Sequence, residues 1–150
     1  EAMRFEMIRI FTLGVTGFDT PSSGAAMEEA IATSLAIQKT YQAYAAAVSD
    51  LNPELNGTII AALEAGVKAL RGADFDTFDR LAFLVNTVNP FTENIVKAQA
   101  LLQIEFTTGR LNPINPKAGK LFSADWCNAD LYARLPKAGQ EDKRIELGRL

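Results

Sequence analysis

The chain has 150 residues, 48% of them hydrophobic, and a formal net charge of −3. That length suffices for one domain with a real core, and scattered Lys and Arg on an acidic background leave no basic stripe for nucleic acid. Histidine is absent and cysteine occurs once, at Cys127, which excludes Ser-His-Asp and Cys-His catalysis, histidine metal sites, C-x-x-C-H haem attachment and internal disulfides within these residues.

The opening run EAMRFEMIRIFTLGVTGFDTP places Met3, Met7, Ile10 and Phe11 at helical spacing, with Ile8 and Leu13 widening the stripe. Gly14 and Gly17 weaken the pattern and Pro21 ends it. This predicts a helix over about 2–15, then a tight loop, GFDTPSSG. Ser22 or Ser23 is expected to cap the second helix, over about 24–49, with Glu28 and Glu29 suiting its first turn. Met27, Ile31, Leu35, Tyr41 and Val48 share one face, with Ser34, Gln38 and Ala45 filling the stripe. The alanines of YQAYAAAV permit close approach by neighbouring helices.

DLNPEL is punctuation: Asn52 caps and Pro53 takes the first helical position. The third helix carries Leu55, Ile59, Leu63, Val67 and Leu70 and stops at Gly72. Asp74 or Asp76 is expected to cap a fourth, with Phe78, Leu81, Val85 and Val88 inward. NTVNP is expected to end it, because a residue before proline is pushed out of the helical region. A fifth helix restarts at Asn89-Pro90, points Phe91, Ile95, Ala98 and Leu102 inward, and ends near Gly109.

After residue 109 the character changes. RLNPINPKAGKLFSADWCNADLYARLPKAGQ mixes prolines and glycines with Leu121, Phe122, Trp126, Leu131 and Tyr132. Spanning linkers are poor in such residues, so an ordered wrapping segment is expected. A new helical start follows from about 140. The expected fold is all-α: an antiparallel up-and-down bundle of about five helices over 1–110, then a wrapping segment over 111–139. No apolar stretch is free of charges over the span of a membrane helix, so no membrane crossing is expected.

Each candidate for chemistry has a plainer reading. In FDTFDR, Asp76, Asp79 and Arg80 offer a carboxylate pair for metal or acid-base work; an N-cap with a local ion pair is the commoner use of such a pattern. Asp19, in GFDTP, offers a binding carboxylate or an Asx-type turn, and the turn is favoured. Arg4 and Arg9 are within reach of loop acids such as Asp19. The glutamates do not have the spacing of a di-metal carboxylate bundle. Cys127, beside Trp126, has no base to activate it and reads as a small hydrophobe. No self-contained active site emerges.

FDRLAFLVNTVNPFTENIVKAQ, followed by LNPINPKAGKLFSADWCNADLYAR and then IELGRL, resembles the N-terminal region of bacterial MauG-like di-haem cytochrome c peroxidases that carry a long helical domain before the peroxidase module. RFEMIRIFTLGVTGFDTP resembles the start of that helical domain. The resemblance implies a periplasmic, non-catalytic accessory domain that docks on a C-terminal di-haem module. In it, 140–150 is the entry to that module, which holds two haems c and takes electrons from a donor protein. Neither haem motif lies in this sequence. The implied docking surface includes Trp126, Leu131 and Leu150. The bundle is also similar to imelysin-like periplasmic domains, which gives the alternative of a stand-alone ligand- or metal-binding domain using Asp19, Asp79 and Arg80. The G-x-H-x-x-E motif of that family cannot occur without histidine.

Overall fold

The structure, a computed structural model, describes residues 1–105, 114–115 and 117–126. Among the described residues it is all-α, 68% helical and without β-strands. Helix α1, Ala2–Arg9, runs on through a π-helical turn, Ile10–Gly14. Helices α2, Ala26–Leu51, and α3, Pro53–Leu70, follow. Helix α4, Arg80–Phe83, passes through a second π-helical turn, Leu84–Val88, into α5, Asn89–Leu101. Residues 80–101 therefore form one unbroken rod, and among the described residues four rods stand where five helices were expected.

Asn52 makes the sharpest joint. Its extended backbone (φ −154°) breaks the helix, and its side-chain oxygen accepts the N–H of Leu55 at 2.9 Å while Pro53 sits in the first turn. One residue thus separates α2 from α3, the most closely associated pair of helices. Their facing sides bury Ile37, Tyr41 and Val48 with Ile59, Leu63, Val67 and Leu70.

Pro90 does not break the last rod, contrary to expectation. The π-helical turn before it shifts the hydrogen-bond register, so the Asn89 N–H reaches back to the Leu84 carbonyl. Pro90 then falls in the first turn of an α-helical run, a position that accepts its fixed φ. The Pro90 carbonyl in turn accepts Nδ2 of Asn94 at 2.8 Å. Gly66 lets this rod approach α3: a Cβ there would lie 2.6 Å from Cγ2 of Thr87.

Several boundaries differ from the sequence reading. Asp79, not Asp74 or Asp76, caps the rod, its Oδ1 accepting the Ala82 N–H at 2.8 Å. Asp74 instead holds the preceding loop, accepting the N–H groups of Asp76 and Thr77, both at 3.1 Å. The later start and the π-helical turn rotate the buried face, so Phe83, Thr87 and Val88 point inward while Leu81 and Val85 are exposed. Leu35 is likewise exposed, and Ile37 takes its expected place in the core. Neither Ser22 nor Ser23 caps α2; Ser23 Oγ accepts the N–H of Ala25, one residue short of the helix. The last rod stops at Leu101 rather than near Gly109. Gln103 adopts a left-handed conformation (φ 55°), and the Gln103 and Ile104 N–H groups return to Ala100 and Gln99, a Schellman ending without glycine.

Candidate functional site

Each of the three polar candidates is engaged locally. Asp19 pairs with Arg9 (Oδ2–Nε 3.2 Å) on an exposed edge of α1. Asp79 is a helix cap. Arg80 is a clamp. It donates to three backbone carbonyls: Val15 (2.9 Å), Phe78 (3.2 Å) and Phe75 (2.9 Å). Its guanidinium also lies over the Phe75 ring, 4.8 Å from the centroid. Charge-assisted hydrogen bonds to several carbonyls, with a cation–π contact, hold a loop more firmly than a single surface ion pair does. Arg80 thereby ties the loop before α4 to the end of α1. Gly17 (φ 77°) adds to the joint, because a Cβ there would meet the Phe75 ring at 3.1 Å.

A cavity of about 150 Å³ opens between α1 and the start of α2. It is lined in part by Glu6, Arg9, Asp19 and Glu29, but by neither Asp79 nor Arg80. The candidates therefore do not converge on one pocket. No group of three or more Asp, Glu, Cys or His side chains is placed to hold a metal among the described residues.

Among the described residues, Arg4 does not pair with a loop acid. It is buried on α1, and its guanidinium donates to the carbonyls of Asn115 (3.3 Å) and Ala118 rather than to a loop acid. Desolvation pulls its pKa down from the usual arginine value, partly opposed by Glu1 and Asp125. Trp126, expected on an open docking surface, is half-buried, with Arg4 lying 5.6 Å from its ring centroid. Leu131, Leu150 and Cys127 lie outside the described residues, as do the expected wrapping turns beyond 126 and the helical start near 140. One signal for Arg4 was present in the sequence. It occupies the same helical stripe as Met7, Ile8 and Phe11, where an arginine must find partners or remain uncompensated.

Large apolar side chains are exposed at several places, Leu51 at 59% among them. Phe18 is 77% exposed, Leu81 69%, Phe122 65% and Val85 54%. The elements that carry them are joined: Arg80 binds Val15, Gly17 abuts Phe75, and Phe122 meets Phe11 edge-on at 6.2 Å. Leu81 and Val85 lie one helical turn apart. The side chains that sequence patterning placed in the core are thus among those the fold leaves in water.

The chain matches no known family, no curated protein and no solved structure.

Proposed function

We propose that the chain is the non-haem accessory domain of a periplasmic MauG-like di-haem cytochrome c peroxidase. It docks on the C-terminal haem module and governs partner access, assembly or electron entry. In this reading the rods pack up-and-down, 111–139 wraps them, and 140–150 leads into the peroxidase module. The two haems c, and the reduction of peroxide with electrons from a donor, belong to that module. The observation that supports docking is the exposure of Phe18 and, one turn apart on the last rod, of Leu81 and Val85. Exposed large apolar side chains that form a contiguous patch mark a protein-binding surface.

A stand-alone imelysin-like domain holding a small ligand or metal is the second reading. It draws on Asp19, Asp79 and Arg80 meeting in one pocket, and their separate local engagements favour the first. Expression of the full reading frame in a host that matures c-type cytochromes tests the parent protein. Two haems c per chain, measured as the pyridine haemochrome, are expected; a haem-free product overturns the reading.

A further inference from the structure

We propose that the groove between α1 and the 80–101 rod is a peptide-binding site, filled in cis by residues 114–115 and 117–126, and that its ligand class is a turn-forming segment of pattern small–Gly–x–Leu. The helices contact this segment largely through its main chain. Arg4 donates to the carbonyls of Asn115 and Ala118. The Thr92 hydroxyl donates to the Gly119 carbonyl at 2.7 Å. The Asn89 side-chain oxygen accepts the Leu121 N–H at 2.9 Å. Three side chains on two helices thus engage four backbone groups of a segment distant in sequence, and backbone groups are common to every peptide.

Side chains supply the selectivity. Ala118 is fully buried, which leaves room for a small residue only. Gly119 is pressed on the rod: a Cβ would lie 3.1–3.4 Å from Cγ, Cα and Cβ of Glu93, and the backbone atom among them cannot swing aside. Lys120 faces outward, 3.9 Å from Glu93 and largely exposed. Leu121 is 4% exposed and Phe122 meets Phe11. The filled sequence is KAGKLF, and its second, third and fifth residues are constrained, while Phe122 meets Phe11 but stays largely exposed. The segment keeps its own shape through Asn115, whose N–H donates to the Trp126 carbonyl and whose Nδ2 donates to the Asp125 carbonyl. In this proposal it leaves and returns as a unit. Tethering gives it a millimolar-scale effective concentration, so a free peptide competes poorly until the tethered copy is displaced.

The test uses the full chain and a fluorescein-labelled peptide of residues 114–126, followed by anisotropy. Gly119→Leu should unseat the tethered copy and bind the peptide at least tenfold more tightly than the wild type does. Adding Arg4→Leu, or placing Gly119→Leu in the peptide, should abolish the gain. A Gly119→Leu protein with wild-type circular dichroism and no gain in affinity overturns the proposal. Hydrogen exchange of the wild type gives a second readout that needs no variant. The Leu121 amide should exchange at least tenfold faster than those of Ile59 and Leu63, because the segment opens while the helices stay folded. Exchange of all three together, by global unfolding only, also overturns it.

Discussion

Gly57 and Gly66 both lie inside α3, and the same substitution should act on them in opposite directions. Gly57 is exposed and an added Cβ meets nothing within 4 Å. Gly57→Ala should therefore stabilise by about 1 kcal/mol, through helix propensity and a less disordered unfolded chain. Gly66→Ala gains the same propensity but drives its Cβ to 2.6 Å from Thr87 Cγ2. Thr87 is β-branched, buried and set in the π-helical turn, so it cannot rotate away. Overpacking costs about 1–3 kcal/mol; net of propensity, Gly66→Ala should destabilise by up to about 2 kcal/mol. Urea unfolding gives the comparison directly, at unchanged m-value. Thr87→Ser removes the clashing methyl, and in that background Gly66→Ala should recover the benefit seen at Gly57. Equal stabilisation by the two single variants would refute the close approach of α3 and the last rod, and with it the placement of the π-helical turn.

Three further outcomes follow from contacts already described. Arg4→Leu leaves the Asn115 and Ala118 carbonyls without their donor and should cost about 2 kcal/mol; Trp126, the sole tryptophan, should shift its emission to the red while far-UV circular dichroism stays nearly constant. Asp79→Ala removes a cap and should cost about 1 kcal/mol, whereas Asp19→Ala breaks only an exposed pair and should change stability by less than about 0.5 kcal/mol in thermal melts. Tyr41 is buried and donates to Asn56 Oδ1 at 2.8 Å, and burial raises its pKa above the usual tyrosine value. The folded state thus holds this proton more tightly than the unfolded state. The resulting stability is complete below about pH 10 and is lost as pH rises through the folded pKa. Tyr41→Phe should lose about 1 kcal/mol at neutral pH and flatten the alkaline decline; an unchanged alkaline slope would refute the assignment.

Local signals carried the sequence reading where one residue type had one use. Asn52-Pro53 marked the joint between α2 and α3 because a side-chain acceptor and a fixed φ both specify a helix start. The face of α3, spaced at helical period, lies in the core as read. The fourth helix was misread because three aspartates within six residues are all plausible caps, and only packing of the Phe75 and Arg80 loop selects Asp79. Its buried face shifted for the same reason, since a π-helical turn adds a residue that no periodicity scan contains. Pro90 looked like a stop because a pre-proline residue disfavours α geometry, and that rule yields when the preceding turn changes register. The polar candidates were found but their roles were tertiary. An arginine at position 80 or position 4 does not announce which distant carbonyls it will bind. Arg4 and the segment at 114–126 meet across more than a hundred residues, a pairing that no local pattern encodes.

Docking of the exposed Leu81 and Val85 face on a di-haem peroxidase module is the proposal on which the functional reading rests. Calorimetric titration of this chain with that module tests it most directly. Saturable one-to-one binding is expected. Leu81→Glu combined with Val85→Glu should weaken it at least tenfold, about 1.4 kcal/mol, with the helical spectrum of the chain unchanged. Absence of binding, or binding indifferent to charges at Leu81 and Val85, would contradict the claim.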